Sequence, residues 1–283
     1  KNIMLLCPEC HRYIDNEGKE KYTAEMLFEM KKRHEDRVAR LTSLGEDLQA
    51  HVVTYGSKIG SHNPDISFSQ IQDALLPDFY PTNDTPIDLG SNDPILKEWD
   101  EYWSTAVKNL EYNCKDKIFD KIDRWEYKRL ALFGIGPMPL LVKLGTMLNN
   151  KHEVEVYQKQ RSGTWKWSQE EIHTDYIINR PEDTLKKPVL VLSLSFPITE
   201  RIKKANPTAS VWEMTIESPN PDFLRSKQQL SDFGRKVELV LDEITKASNN
   251  QPINLYLSVP VACAVEFGRV WMQKANSSLK IYD

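Results

Sequence analysis

Cys7, Cys10 and His11, in the segment CPECH, place two thiols and an imidazole within about one turn of chain. Thiolates and imidazoles at this spacing are ligands for a divalent metal. A single Cys-x-x-Cys cannot close a tetrahedral site, and the other cysteines, Cys114 and Cys263, are distant singletons. The pair therefore either shares a metal with further ligands or is a reduced structural pair. A second kind of chemistry lies in three loops of small residues, Gly134–Pro139, Ser193–Pro197 and Ser258–Cys263. Each follows an apolar run and leads into helical spacing, so each presents a helix start, with its free N–H groups and positive dipole end, to an anion. Ser195 and Ser258 add hydroxyl donors. GIGPMP has only two glycines before a proline and no Gly-Lys-Ser/Thr occurs, so neither common nucleotide fingerprint is present. Third, Tyr157–Trp167 interleaves Trp165 and Trp167 with Lys159, Arg161 and Lys166. Flat rings among cations suit bases and phosphates. The segment reads as a hairpin lip over a pocket; alternatively one of its tryptophans caps the core. The candidate ligand-binding set is Gly136, Pro137, Met138 and Pro139; Gln158, Lys159, Arg161, Trp165 and Lys166; Ser195, Phe196 and Pro197; and Ser258, Val259 and Pro260.

The elements that must hold these residues follow from periodicity. LALFGIGP, VLVLSLSFP and INLYLSVP are continuous apolar runs ending in a small residue and a proline, each followed by helical spacing. That is the pattern of parallel strands covered on both faces, an α/β fold. Two units agree in more detail. Pro137 is followed eight positions later by Gly145, and Pro260 eight positions later by Gly268; downstream come VEVY and LKIY, each ending in tyrosine. Two related strand-helix-strand lobes sharing one cleft are expected, although any α/β sheet can produce such matches by chance. Nearer the N-terminus, Ile3–Leu6 reads as a short strand, and Thr23 is a good N-cap for a helix whose Leu27, Met30, His34, Val38 and Leu41 form one stripe. His34 is expected to face inward as a satisfied core histidine, and the charges of Lys31–Arg40 to form a solvated face. Residues 46–98, rich in glycine and proline, read as a connector that wraps, with His51–Tyr55 its only strand-like piece.

The chain has 283 residues, 40% of them hydrophobic and 28% charged, enough for one large or two modest domains. Its formal charge of −4 provides no global basic field, which argues against a general DNA-coating protein. Cysteine usage fits a reducing cytoplasm, and no window is apolar enough to span a membrane.

Asn2 with His11 after eight intervening residues, Asp15, Tyr22-Thr23 and Lys31-Lys-Arg-His34-Glu35 together resemble the C-terminal half of an HNH endonuclease. GIGPMP, TWKW and SVPVACAVEFGRV resemble a SAVED domain, a fused pair of CARF-like Rossmannoid lobes that senses cyclic oligonucleotides. In this order the chain resembles the HNH-SAVED effectors of bacterial CBASS anti-phage defence. The resemblance implies the C-terminal part of a ββα-metal HNH domain over 1–45, a connector over 46–98 and a SAVED sensor over 99–283. It implies a cyclic di- or trinucleotide ligand, cGAMP-like, that causes homo-oligomeric assembly and divalent-metal cleavage of double-stranded DNA, with magnesium as the metal. Asn2 would orient the catalytic centre and His11 would be a metal ligand. Cys7 and Cys10 would pair with an upstream Cys-x-x-Cys around structural zinc or stay metal-free. The general-base histidine of that motif lies upstream of its asparagine, and this chain starts at Lys1. As given, it reads as a fragment expected to bind ligand without cutting DNA. The alternatives are a pure binding module with a structural N-terminal remnant, and a metabolic α/β enzyme using the Ser258 loop. Against the last, no Gly-x-Ser-x-Gly occurs and no histidine is near Ser195 or Ser258 in sequence.

Overall fold

The computed structural model describes residues 6–16, 18, 21–42, 48–57, 66–82, 85–90, 99–124, 127–149 and 152–283. The chain divides into two compact units, Lys1–Gln49 and Ala50–Asp283. In the first, helix α1 (Pro8–Asp15) begins at Cys7, whose Sγ accepts the Cys10 backbone N–H at 3.4 Å. Pro8 sits in the first turn, where a missing N–H costs nothing. Helix α2 (Ala24–Thr42) starts behind Thr23, whose Oγ1 accepts the Met26 N–H at 3.2 Å, as its sequence predicts. The inward stripe is not found. Met30, His34 and Val38 are exposed, Leu27 is half-buried, and no hydrophobic side chain among the unit's described residues is buried. Helical spacing defines a face but cannot supply the layer that would cover it. The Ile3–Leu6 strand and Asn2 lie at or outside the edge of the described residues.

The second unit contains two sheets. Strand β1 (Gln49–Gly56), helix α3 (Phe68–Leu75), strands β2 (Tyr80–Pro81) and β3 (Ile87–Asp88) and helix α4 (Trp99–Cys114) come first. A π-helical turn (Lys115–Phe119) and short α5 (Asp120–Asp123) extend α4 into β4 (Arg129–Ile135), followed by helix α6 (Met138–Leu148) and β5 (Glu153–Tyr157). The sheet runs β2-β1-β4-β5, with β3 also on β1, and β1, β4, β5 and β3 are parallel where paired. Val53 lies opposite Leu132, and Leu132 opposite Val156. This corrects the connector reading of 46–98. Ala50, Val52, Val53 and Tyr55 are buried in a central strand, and Ile71 and Leu75 of α3 join the core. The strand-like piece His51–Tyr55 is thus part of a central strand buried on both faces rather than of a wrapping connector.

The second sheet contains β6 (Ile177–Asn179), β7 (Pro188–Ser193), β8 (Ser210–Thr215), β9 (Ile253–Ser258) and β10 (Leu279–Tyr282), in the order β10-β9-β7-β8-β6. All pairs are parallel except β6 on β8. Helices α7 (Thr199–Ala205), α8 (Lys227–Ala247) and α9 (Val261–Val270) cover it. Helix α8 opens with a reciprocal cap: Ser226 accepts the Gln229 N–H, and Gln229 Oε1 accepts the Ser226 N–H.

The two lobes meet where α6 crosses α9. A Cβ on Gly145 would lie 2.0 Å from the Val265 carbonyl oxygen and 2.9 Å from Gly268 Cα; one on Gly268 would lie 2.0 Å from the Val142 carbonyl oxygen. Only hydrogen fits at either position, so the two helices meet backbone to backbone at the matched glycines.

Candidate functional site

In an open parallel sheet, ligands bind beyond the carboxyl ends of the strands. In the first lobe this end is formed by Ser57 after β1 and Gly136–Pro139 after β4, tied by the Ser57 N–H to the Ile135 carbonyl at 3.0 Å. A Cβ on Gly136 would come within 3.1 Å of the Tyr55 ring, so glycine lets the loop lie close against that ring. In the second lobe the loops after β7 and β9 are held together. The Ser258 carbonyl accepts the Leu194 and Ser195 N–H groups at 2.9 and 2.7 Å, and the Ser258 hydroxyl accepts the Phe196 N–H at 3.0 Å. Ser195, Val259 and Pro260 are buried, while Phe196 is 56% exposed on this fixed backbone and Pro197 is exposed beside it.

Proline precedes the first residue of both α6 and α9, so neither helix has a side-chain cap from its own N-cap position. Each receives one from the other lobe. Gln158, the residue after β5, accepts the Ala262 N–H of α9 at 3.1 Å through Oε1 and is 8% exposed. Asp283, the residue after β10, accepts the Met138 N–H of α6, and burial pushes its carboxyl above the usual carboxylate range against that hydrogen bond. VEVY and LKIY thus end in equivalent residues with reciprocal tasks. The two helix starts and two sets of strand-end loops are joined on one face.

The Tyr157–Trp167 segment differs from expectation. No strand follows β5 there; the chain makes a tight turn, with the Gln160 N–H on the Thr164 carbonyl at 2.8 Å and Gly163 at φ +91°. Trp165 is fully buried, edge-on to Phe133 at 5.2 Å, and Phe133 stacks on Tyr157 at 4.5 Å. It is core and offers no face to a base, because its β5-proximal position carries it under the sheet end. Lys159 lies over that ring at 5.2 Å and donates to Gln70 at 2.7 Å. Arg161 and Lys166 line a pocket of about 420 Å³ with Gln160, Ser162, Trp167, Ser168, Asp222 and Arg225, none of which belongs to the strand-end loops. The candidate set thus falls into two groups. Tyr55, Ser57, Asp283 and Arg225 were missed in sequence; the first two follow from an apolar run ending in glycine, HVVTYG, the same signal that marked β4.

In the first unit, Cys7 and Cys10 are exposed and free, and His11 Nδ1 lies 3.1 Å from Asp15 Oδ2. The Cys10 N–H holds the Cys7 thiol below its usual range, and Cys7 pushes the Cys10 thiol up. Among the described residues no three His, Cys, Asp or Glu side chains converge to hold a metal. The donors present do not by themselves fit magnesium or zinc, and no step through a metal follows from them. Cys114 and Cys263 are buried, and burial pushes the first up to about 12. No helix of the described residues is long and apolar enough to cross a membrane.

Two strand-helix-strand lobes crossing at paired glycines define a two-lobed α/β module. Residues 111–283 match the family described as SAVED, the SMODS-associated and fused to various effectors sensor domain, and the chain belongs to this family. The match begins within α4, so β1 lies before it. No curated protein matches the sequence. Among solved structures, the Acinetobacter baumannii Cap4 SAVED/CARF-domain containing receptor with the cyclic trinucleotide 2′3′3′-cAAA superposes with a TM-score of 0.52 at 13% identity. The same receptor with 3′3′3′-cAAA gives 0.51 at 13% identity. Both alignments cover 100% of this chain and 60% of the receptor, so the chain spans about 60% of the length of those proteins. At this identity the likeness concerns the fold.

Proposed function

We propose that this chain is the sensing part of a CBASS anti-phage effector, and that it binds a cyclic oligonucleotide across the joined strand-end loops of its two lobes. The Gln158 cap carries this reading: it ties the end of β5 to the start of α9 and so joins the strand-end loops of the two lobes, where a ring-shaped polyanion can reach both. Phe196 supplies the exposed ring on which a base can stack, the role expected of Trp165. A trinucleotide is favoured over a dinucleotide because the similar Cap4 receptor carries 2′3′3′-cAAA. Calorimetric titration with 2′3′3′-cAAA, 3′3′3′-cAAA and 3′3′-cGAMP tests it. We expect one of them to bind in the micromolar range or tighter, and Phe196→Ala to weaken that ligand about tenfold, since stacking on an aromatic contributes about 1–3 kcal/mol per base. Absence of binding by every cyclic di- and trinucleotide tried ends this reading.

The finer proposal is that ligand binding assembles copies of the whole protein and activates HNH cleavage of double-stranded DNA. It is supported by the resemblance of residues 2–35 alone. This 283-residue chain is expected to sediment as a larger species with ligand and to leave supercoiled plasmid intact in magnesium. Nicking that disappears in His11→Ala would instead make it an active nuclease.

A further inference from the structure

The pocket lined by Gln160, Arg161, Ser162, Lys166, Trp167, Ser168, Asp222 and Arg225 shares no residue with the strand-end loops. We infer that it is a second binding site, for a phosphate monoester, which goes beyond cyclic-oligonucleotide binding. Its frame is built. The Ser168 N–H donates to the Arg225 carbonyl at 2.8 Å, and the Gln160 amide to the Leu224 carbonyl at 3.2 Å, so the 160–168 turn is fastened to the 222–225 segment. The cations are aligned by the same segment. Arg225 Nε donates to the Asp222 carbonyl at 3.0 Å, and Arg161 Nε lies 3.4 Å from Asp222 Oδ1. The Lys166 ammonium has no ion-pair partner among the described residues, and the buried Trp167 indole N–H has no acceptor among them. Three cations lining one pocket with a single carboxylate call for an anion.

The charge count selects the ligand class. Arg161, Lys166 and Arg225 against Asp222 leave a surplus of two positive charges. A monoester dianion matches that surplus and presents three non-bridging oxygens to two guanidinium forks and an ammonium. A phosphodiester, as in a cyclic oligonucleotide, carries one charge and two such oxygens. The site therefore distinguishes a terminal phosphate, on a nucleoside monophosphate or free in solution, from the intact ring.

The test is titration of the full chain, followed by calorimetry and amide shifts, with inorganic phosphate, AMP, dimethyl phosphate and adenosine. Phosphate and AMP are expected to bind at least about tenfold more tightly than dimethyl phosphate or adenosine. Equal affinities would mean that the pocket reads the phosphate alone, and tighter AMP that it also holds the nucleoside; either supports the site. Lys166→Gln and Arg225→Gln should each weaken AMP about tenfold or more, the usual loss for a charge-assisted hydrogen bond. The Lys166 side chain takes no part in the frame, and Arg225→Gln removes only the bond to the Asp222 carbonyl while the Ser168–Arg225 and Gln160–Leu224 bonds remain, so these variants should fold. Affinity should also drop below about pH 6, where the monoester takes its second proton. Phe196→Ala, in the other group of loops, should leave AMP binding unchanged. AMP binding no tighter than dimethyl phosphate, or unaffected by both pocket variants, or lost only in Phe196→Ala, overturns the inference without touching the cyclic-oligonucleotide reading.

Discussion

The two lobes are nearly the same object at their crossing and different objects at their strand ends. On α6 and α9, Gly145 and Gly268 hold equivalent places and each blocks any side chain on the other. At the tips, the α9 start is capped by the neutral amide of Gln158 and the α6 start by the carboxylate of Asp283. Along the same helices, Lys143 on α6 pairs with Glu111 at the surface, whereas Glu266 at the corresponding place on α9 is buried against Arg269, whose Nε also reaches the Asn149 carbonyl of the first lobe. Close packing permits only one solution at the crossing, so symmetry is retained there. The tips face solvent and ligand, and there the lobes have diverged.

The largest expected effect comes from breaking the shared feature. Alanine is the better helix former by about 1 kcal/mol, yet at Gly145 its methyl would collide with backbone that cannot rotate away. Gly145→Ala and Gly268→Ala are each expected to destabilise by about 3 kcal/mol, the upper range for overpacking, measured as the midpoint of denaturant unfolding. Because the two sites touch, the double variant should lose less than the sum. An additive double loss would mean that the helices do not meet at these residues.

The next effect separates the tips. Gln158→Ala leaves the Ala262 N–H buried without a partner, and about 2 kcal/mol should be lost. The same substitution should weaken the cyclic ligand, since α9 would no longer be fixed to the first lobe. If stability falls and affinity does not, the cap is structural only.

How much of this was legible in sequence differs between the same features. Pro137 with Gly145 and Pro260 with Gly268 were readable because a tight crossing demands particular residues at fixed offsets. β1 was readable as a strand at His51–Tyr55 but not as a central member of the sheet, since its run is short and the turns around it dominate the local composition. Trp165 could be read either as a lip or as a core cap, because an alternation of rings and cations looks the same for both; its burial against Phe133 depends on residues far away in sequence. Phe196 was named only as one residue of a loop, and nothing local says that it is the exposed ring. Reciprocal capping was invisible: Gln158 and Ala262 are joined only once both lobes exist.

The pH response sharpens the contrast between Lys143 and Glu266. Burial pushes the Glu266 carboxyl above the ordinary carboxylate value of 4.5, while Arg269 opposes the shift. A group whose folded value is raised favours the fold below its unfolded value, and that contribution is lost as pH rises through the folded value. The native chain should therefore lose stability from about pH 4.5 upward relative to Glu266→Gln, which does not titrate. Removing the pair with Arg269 shifts the whole curve of the variant, so the slope of the difference with pH is the readout. A difference independent of pH would mean that Glu266 is not desolvated.

The smallest effect concerns the tip that carries charge. Asp283→Asn keeps an acceptor for the Met138 N–H and removes the carboxylate, so stability should change by less than about 0.5 kcal/mol, the scale of a single charge at a helix start, here offset by its partial burial. Its consequence for ligand is of the opposite sign. At roughly 8 Å in a water-like dielectric, one like charge opposes an anion by about 0.5 kcal/mol, or about twofold in affinity. The asparagine variant should bind a cyclic oligonucleotide about twofold more tightly at low salt, with the gain vanishing as salt screens the charge. An equal gain at high salt would locate the effect in packing. No gain at any salt would place the ligand away from the α6 start, and would leave the Gln158 tip as the side of the face that the ligand uses.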